Sequence, residues 1–145
     1  MWATYDDSNF PIINVKMTGV PNNDKDFQDF LTTWDSYNYN RNNQPYIFIF
    51  DTTEVGFINM KYSFRMSSFI KNLKASEHQY LRSSIIIANG MWSKFLLKII
   101  FWTQRPVAPV YLTEITDDKF IKNFANELNQ GIEKRYEGVS IIRPS

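Results

Sequence analysis

The chain contains no cysteine, which excludes disulfides, thiolate metal sites and cysteine nucleophiles together. It has a single histidine, His78, set in the polar stretch Ala75-Ser76-Glu77-His78-Gln79-Tyr80. A nucleophilic triad needs a base oriented by a third group, and a metal site needs several convergent ligands. One loop histidine meets neither requirement. Glycines are few, five in 145 residues; none forms the GxGxxG or GxxxxGK pattern that cradles a phosphate. No apolar run approaches the roughly 18 residues of a membrane span. The first residues, Met1-Trp2-Ala3-Thr4-Tyr5-Asp6-Asp7, lack the basic segment and apolar core of a signal peptide. These absences point to a non-enzymatic protein without cofactor or metal, placed in the cytoplasm.

What is present is a globular composition, 43% hydrophobic and 17% aromatic, at a length that suits one domain over residues 1–145. The net charge of +1 conceals a division along the chain. Residues 1–60 carry Lys16, Lys25 and Arg41 against seven aspartates and Glu54. Residues 61–105 carry Lys61, Arg65, Lys71, Lys74, Arg82, Lys94, Lys98 and Arg105 against Glu77 alone. A basic middle in a neutral protein reads either as solvated helix faces or as a surface for an acidic partner.

The stretch Pro45-Tyr46-Ile47-Phe48-Ile49-Phe50-Asp51 is five consecutive apolar residues, β-branched or aromatic, stopped by an acid. So short a run predicts a strand buried on both faces at the centre of a sheet. Phe10–Thr18 alternates from Ile13 to Met17 and predicts an edge-type strand with one polar face, with Trp2–Tyr5 as a short partner. Phe27, Phe30, Leu31 and Trp34 fall at i, i+3, i+4 and i+7, one helical face, capped by Asn22, Asn23 or Asp24. A second helix is expected near Met60–Lys74, with Tyr62, Met66, Phe69, Ile70 and Leu73 inward and Lys61, Arg65, Ser68 and Asn72 outward. Leu81–Ile87 predicts another buried strand, Met91–Thr103 a third helix, and Val110–Leu112 a short strand. Thr116 is the expected cap of a fourth helix that Gly131 ends, and Val139–Ile142 closes the chain as a strand. Strands alternating with helices make an α/β fold, an open mixed sheet of about five strands with about four helices.

Read from the central strand, Phe50-Asp51-Thr52-Thr53-Glu54-Val55-Gly56-Phe57-Ile58-Asn59-Met60-Lys61-Tyr62 resembles the core motif of STAS domains, the anti-sigma-factor antagonists and their relatives in anion transporters. Asp51, Val55, Phe57 and Ile58 fall on matching positions, and Asn59 stands where the motif has aspartate. The two hydroxyl positions fall on Met60 and Lys61, so the resemblance implies the fold without the phosphorylatable switch. Tyr80–Ile100 is similar to part of the CRAL-TRIO lipid-binding domain, with Tyr80, Arg82, Asn89 and Trp92 matching. The two families share a related topology, so both imply one fold. Asp51, Thr53 and Asn59 are taken as a strand-end motif, and Asp51 and Glu54 as strand-end caps rather than an acid–base pair.

Two surfaces are expected to bind partners. In Met91–Thr103, Trp92, Phe95, Leu96, Ile99 and Trp102 are assigned to the inward face, leaving Leu97 and Phe101 outside beside Lys94 and Lys98. The other surface is the basic face of Met60–Lys74, Lys61 and Arg65 with Phe64 at its edge. The function read from these is a non-catalytic, STAS-like protein-interaction module engaging a protein partner or a second copy. The alternative is a lipid or anionic-membrane binder of CRAL-TRIO type. Nucleic acid is disfavoured, because the chain is not basic overall and shows no base-reading motif.

Overall fold

The computed structural model describes residues 1–145. Its elements run β1 (Ala3–Asp6), β2 (Ile12–Gly19), α1 (Asp24–Ser36), β3 (Tyr46–Val55), α2 (Met60–Ala75), β4 (Leu81–Ile87), α3 (Met91–Thr103), β5 (Val110–Thr113), α4 (Asp118–Asn129) and β6 (Val139–Ile142). One six-stranded sheet takes them in chain order, β1-β2-β3-β4-β5-β6. β2 to β5 are parallel, while β1 and β6 pair antiparallel at the two edges. The sheet thus has six strands where about five are expected. β2 is not an edge strand, because β1 covers its outer side.

The continuous apolar run of β3 follows from its position. Tyr46, Phe48 and Phe50 enter the larger core with α1, α2 and α3, while Ile47 and Ile49 enter a second core with α4. A strand covered on both faces has no polar side to show. In β2 the alternation holds instead: Ile13, Val15 and Met17 are buried, and Lys16 and Thr18 stand in solvent. The larger core is built on aromatics. Trp34 meets Phe48, Phe50 and Phe69 with ring centroids 5.1–5.5 Å apart, the edge-to-face and tilted arrangements that ring quadrupoles favour.

Loop polar groups are tied into this core. The Tyr46 hydroxyl donates to Asn38 Oδ1 at 2.7 Å, and the Tyr80 N–H donates to the same oxygen at 3.0 Å. That bond holds the fully buried Asn38 and anchors the loop after α1 to the start of β4. Each helix start has its cap except that of α3, where Gly90 supplies no side chain. Asn23 Oδ1 accepts from the Asp26 N–H, and Asn59 Oδ1 from the Lys61 N–H. In α4 the cap is Asp117, one residue later than expected; its carboxylate accepts from the N–H groups of Lys119 and Phe120. Thr116 cannot do this, since the cap oxygen must reach the second and third N–H groups of the helix. α4 ends as expected at Gly131, whose φ of +80° lets its N–H and that of Ile132 return to the carbonyls of Leu128 and Glu127.

Candidate functional site

The unusual element is α3. It is apolar nearly all round, so its periodicity does not choose which side faces the sheet. The structure turns it away from the expected orientation: Leu96 packs inward as expected, but Trp92, Phe95 and Trp102 do not. Ser93 and Ile100 are buried, and Leu96, Leu97 and Phe101 pack against the larger core. Leu97 and Phe101 are therefore inward and do not contribute to an outer surface. The small Ser93 is buried in the first turn, its hydroxyl donating to the Gly90 carbonyl. The return through Pro106, Val107 and Ala108 closes beneath the last turn, with Pro106 and Ala108 buried.

The outward face then carries the bulk. Met91 is 77% exposed, Trp92 48%, Phe95 49% and Trp102 88%. Phe57, in the loop before α2 and 60% exposed, meets Trp92 edge-on at 4.6 Å. Taking an aromatic side chain at roughly 200 Å², these four rings leave on the order of 500 Å² of apolar surface in water. That lies at the upper end of what a monomer's largest patch shows. Lys94 and Lys98 line one flank of this face, and α3 has no acidic residue. Lys94 reaches Glu114 at 2.5 Å, whereas Lys98 makes no ion pair within the chain.

The second expected surface is largely taken up internally. Lys61 Nζ lies 3.0 Å and Arg65 3.8 Å from the Asp24 carboxylate at the start of α1. Arg65 also donates to Gln28 and lies over the Phe27 ring at 4.9 Å. The acid-rich first third and the basic middle thus meet within one molecule, at the α1–α2 junction. The Lys61 hydrogen bond, helped by the Tyr62 hydroxyl and the two cations, holds the Asp24 carboxyl below its usual value. Phe64 remains 58% exposed.

β3 does not stop at Asp51 but runs on to Val55, paired with β2 as far as Gly19, so Asp51, Thr53 and Glu54 lie within the strand and only Asn59 lies beyond its end. Asp51 Oδ1 accepts from the N–H and hydroxyl of Thr53 at 3.0 and 2.6 Å, and Asn59 caps α2. Glu54 pairs with Lys16 at 2.7 Å. His78 is at the other end of the sheet: it precedes Leu81, which lies opposite Tyr46 at the start of β3, while Asp51 lies opposite Ile87. Its ring packs on Tyr39 at 5.0 Å. Asp51, Glu54 and His78 are not brought together, and no three His, Asp or Glu side chains converge as a metal site would need.

Behind α3, between the sheet and the three helices on that face, is an apolar cavity of about 100 Å³ bordered by Phe50, Met66, Leu96, Leu97, Ile100 and Phe101 among others. Ligand pockets run to several hundred Å³, so this space falls short of a lipid chain. No helix is long and apolar enough to cross a membrane.

No protein-family model matches the chain, and no curated protein matches it. Among solved structures it is similar to an uncharacterized protein of the DUF3478 family from Shewanella loihica, described as having a SpoIIAA-like fold. The TM-score is 0.56 at 11% identity, over 85% of this chain and 91% of that one. A likeness at that identity speaks for the fold alone. It bears on the STAS-like resemblance and not on the CRAL-TRIO one. The chain has the SpoIIAA-like, STAS-like α/β fold that the segment from Phe50 to Tyr62 resembles.

Proposed function

We propose that the protein is a non-catalytic interaction module that docks through the outer face of α3, with Phe57 beside it. The observation that carries this is the inversion of α3: Met91, Phe95 and Trp102 stand in water while Ser93 faces the core. Leaving that much aromatic surface wet costs about 25 cal/mol per Å² relative to covering it. A partner would recover that energy. A second copy is the occupant best supported by size, because a standard interface covers about 800 Å² per partner and this patch supplies much of that. The phosphorylatable switch of the STAS family has no counterpart at Met60 and Lys61, so association would not be controlled there by phosphate.

The test is native mass spectrometry of the purified protein, first gentle and then denaturing. The expected result is a defined oligomer with no added mass, shifted to monomer by Phe95→Ser and Trp102→Ser together. A monomer carrying a lipid-sized mass that disappears on denaturation would overturn the proposal.

One observation favours a second reading, an anionic membrane surface. α3 joins Trp and Phe to Lys94 and Lys98 without any acid, the composition of a helix that lies in a bilayer interface. In this reading the protein sediments with vesicles containing phosphatidylglycerol and not with pure phosphatidylcholine. The Phe95→Ser, Trp102→Ser pair abolishes the sedimentation.

A further inference from the structure

The sheet has two open edges, and they differ. At β6 a groove of about 550 Å³ runs along the strand, lined by Val139, Ser140 and Ile141 and by four cations, Arg105, Lys134, Arg135 and Arg143. The cations come from three separate segments: the loop after α3, the loop after α4, and the residues past β6. Charges set along an edge strand often serve only to repel other strands. Those belong to the strand itself, whereas here they converge from outside on one groove. Lys134 is held by Glu127 at 2.7 Å, but Arg105, Arg135 and Arg143 make no ion pair within the chain. Tyr111 of β5 also lines the groove.

The backbone of β6 is open as well. β6 pairs only with β5, in the register Thr113↔Val139, Leu112↔Ser140, Tyr111↔Ile141 and Val110↔Ile142. The Val139 N–H turns away from β5 to the Tyr136 carbonyl, and the Thr113 carbonyl turns the other way, accepting from the Ala88 N–H. Main-chain groups alternate sides along an antiparallel strand. The N–H and C=O of Ile141 therefore point outward, away from β5, with no partner strand.

We propose that the β6 edge accepts an extended acidic peptide, which adds a seventh strand on Ile141 and sets its carboxylates on Arg105, Arg135 and Arg143. The free N–H and C=O of Ile141 are what a strand pairs with, and the three arginines supply forked donors that match carboxylates. A nucleic acid would use the cations but not the strand edge. The opposite edge, β1, has no such charge: it ends in Asp6 and is followed by Asp7. This surface adjoins α3 only through Arg105, just past its last turn, while β6, Arg135 and Arg143 belong to other segments.

The test uses a fluorescein-labelled octapeptide alternating glutamate and valine, followed by fluorescence anisotropy against the full chain. Saturable binding is expected, weakening at least tenfold between 50 and 300 mM salt (about tenfold or more for several released counter-charges). Arg135→Glu with Arg143→Glu should weaken it about tenfold or more, with an unchanged thermal melt showing that the variant is folded. Peptides N-methylated at every residue keep their charge but offer no N–H on either edge and should bind about tenfold less or worse. Equal binding of the methylated peptides, equal binding of an oligothymidylate of the same charge, or no saturable binding would each overturn the proposal.

Discussion

α1 and α3 lie on the same face of the sheet, have the same length of 13 residues, and are both rich in aromatics, yet they are solved in opposite ways. α1 buries Phe27, Phe30, Leu31 and Trp34 and shows water its aspartates. α3 buries Ser93, Ile100 and the inner halves of Leu96, Leu97 and Phe101, and shows water its two tryptophans and Phe95. The first is an amphipathic helix whose only demand is a core. The second has more apolar surface than its side of the core can take, and the excess stands outside. Packing explains the whole of α1, whereas half of α3 needs a reason beyond the fold of one chain.

The sharpest way to break this comparison is to exchange tryptophan for a small residue in each helix. Trp34→Ala should cost about 3–5 kcal/mol in chemical denaturation, because it removes a ring packed on Phe48, Phe50 and Phe69 and leaves a cavity. Trp102→Ser should change stability by no more than about 0.5 kcal/mol, as surface substitutions do, and should act on association instead. If the two losses were similar, α3 would be a packed helix like α1 and the outer face would lose its meaning.

A smaller effect tests the rotation of α3 itself. Leu97→Ala should destabilise by about 1–3 kcal/mol, since the side chain is half-buried on the core and borders the existing cavity. Lys98→Ala, one position on and fully outside, should leave the melt unmoved. A stability-neutral Leu97→Ala would return Leu97 to the surface and reverse the assignment of the two faces.

What could be read in the sequence divides along the same line. α1, β3, α2 and β4 were legible because their patterns admit one arrangement: the run from Tyr46 to Phe50 fits only a strand covered twice, and Phe27, Phe30, Leu31 and Trp34 fit only one inward face. α3 was legible as a helix, to the residue, but not as a direction. With apolar side chains at nearly every position, assigning the largest group inward placed Leu97 and Phe101 outside, and the small, buried Ser93 left no mark in a hydrophobic count. The basic face of α2 was legible as a charge pattern. That its partner is Asp24 of the same chain depends on α1 and α2 lying side by side, which residue spacing does not disclose. The groove beside β6 was missed for a related reason: Arg105 is distant along the chain from Arg135 and Arg143, and the three line one groove only because β6 folds back on β5.

The smallest expected effect separates the closed junction from the open surface. Asp24 accepts from Lys61 and from the Tyr62 hydroxyl, and Lys61 and Arg65 add their charge, so its folded carboxyl titrates below the ordinary 3.8. A group whose folded value is depressed contributes stability that is complete above the unfolded value and disappears as pH falls through the folded one. Asp24→Asn should therefore melt below the parent chain at pH 7, and the gap should close as pH drops beneath 3.8. High salt should narrow it too, because the junction is exposed and screened. The same variant frees Lys61 and Arg65 without touching α3. Its oligomeric state should match that of the parent at every pH where both are folded, since the docking face lies on α3 and does not include these two cations. An oligomer that changed size when Asp24 lost its charge would put Lys61 and Arg65 back in the interface, and α2 would have to share the outer surface with α3.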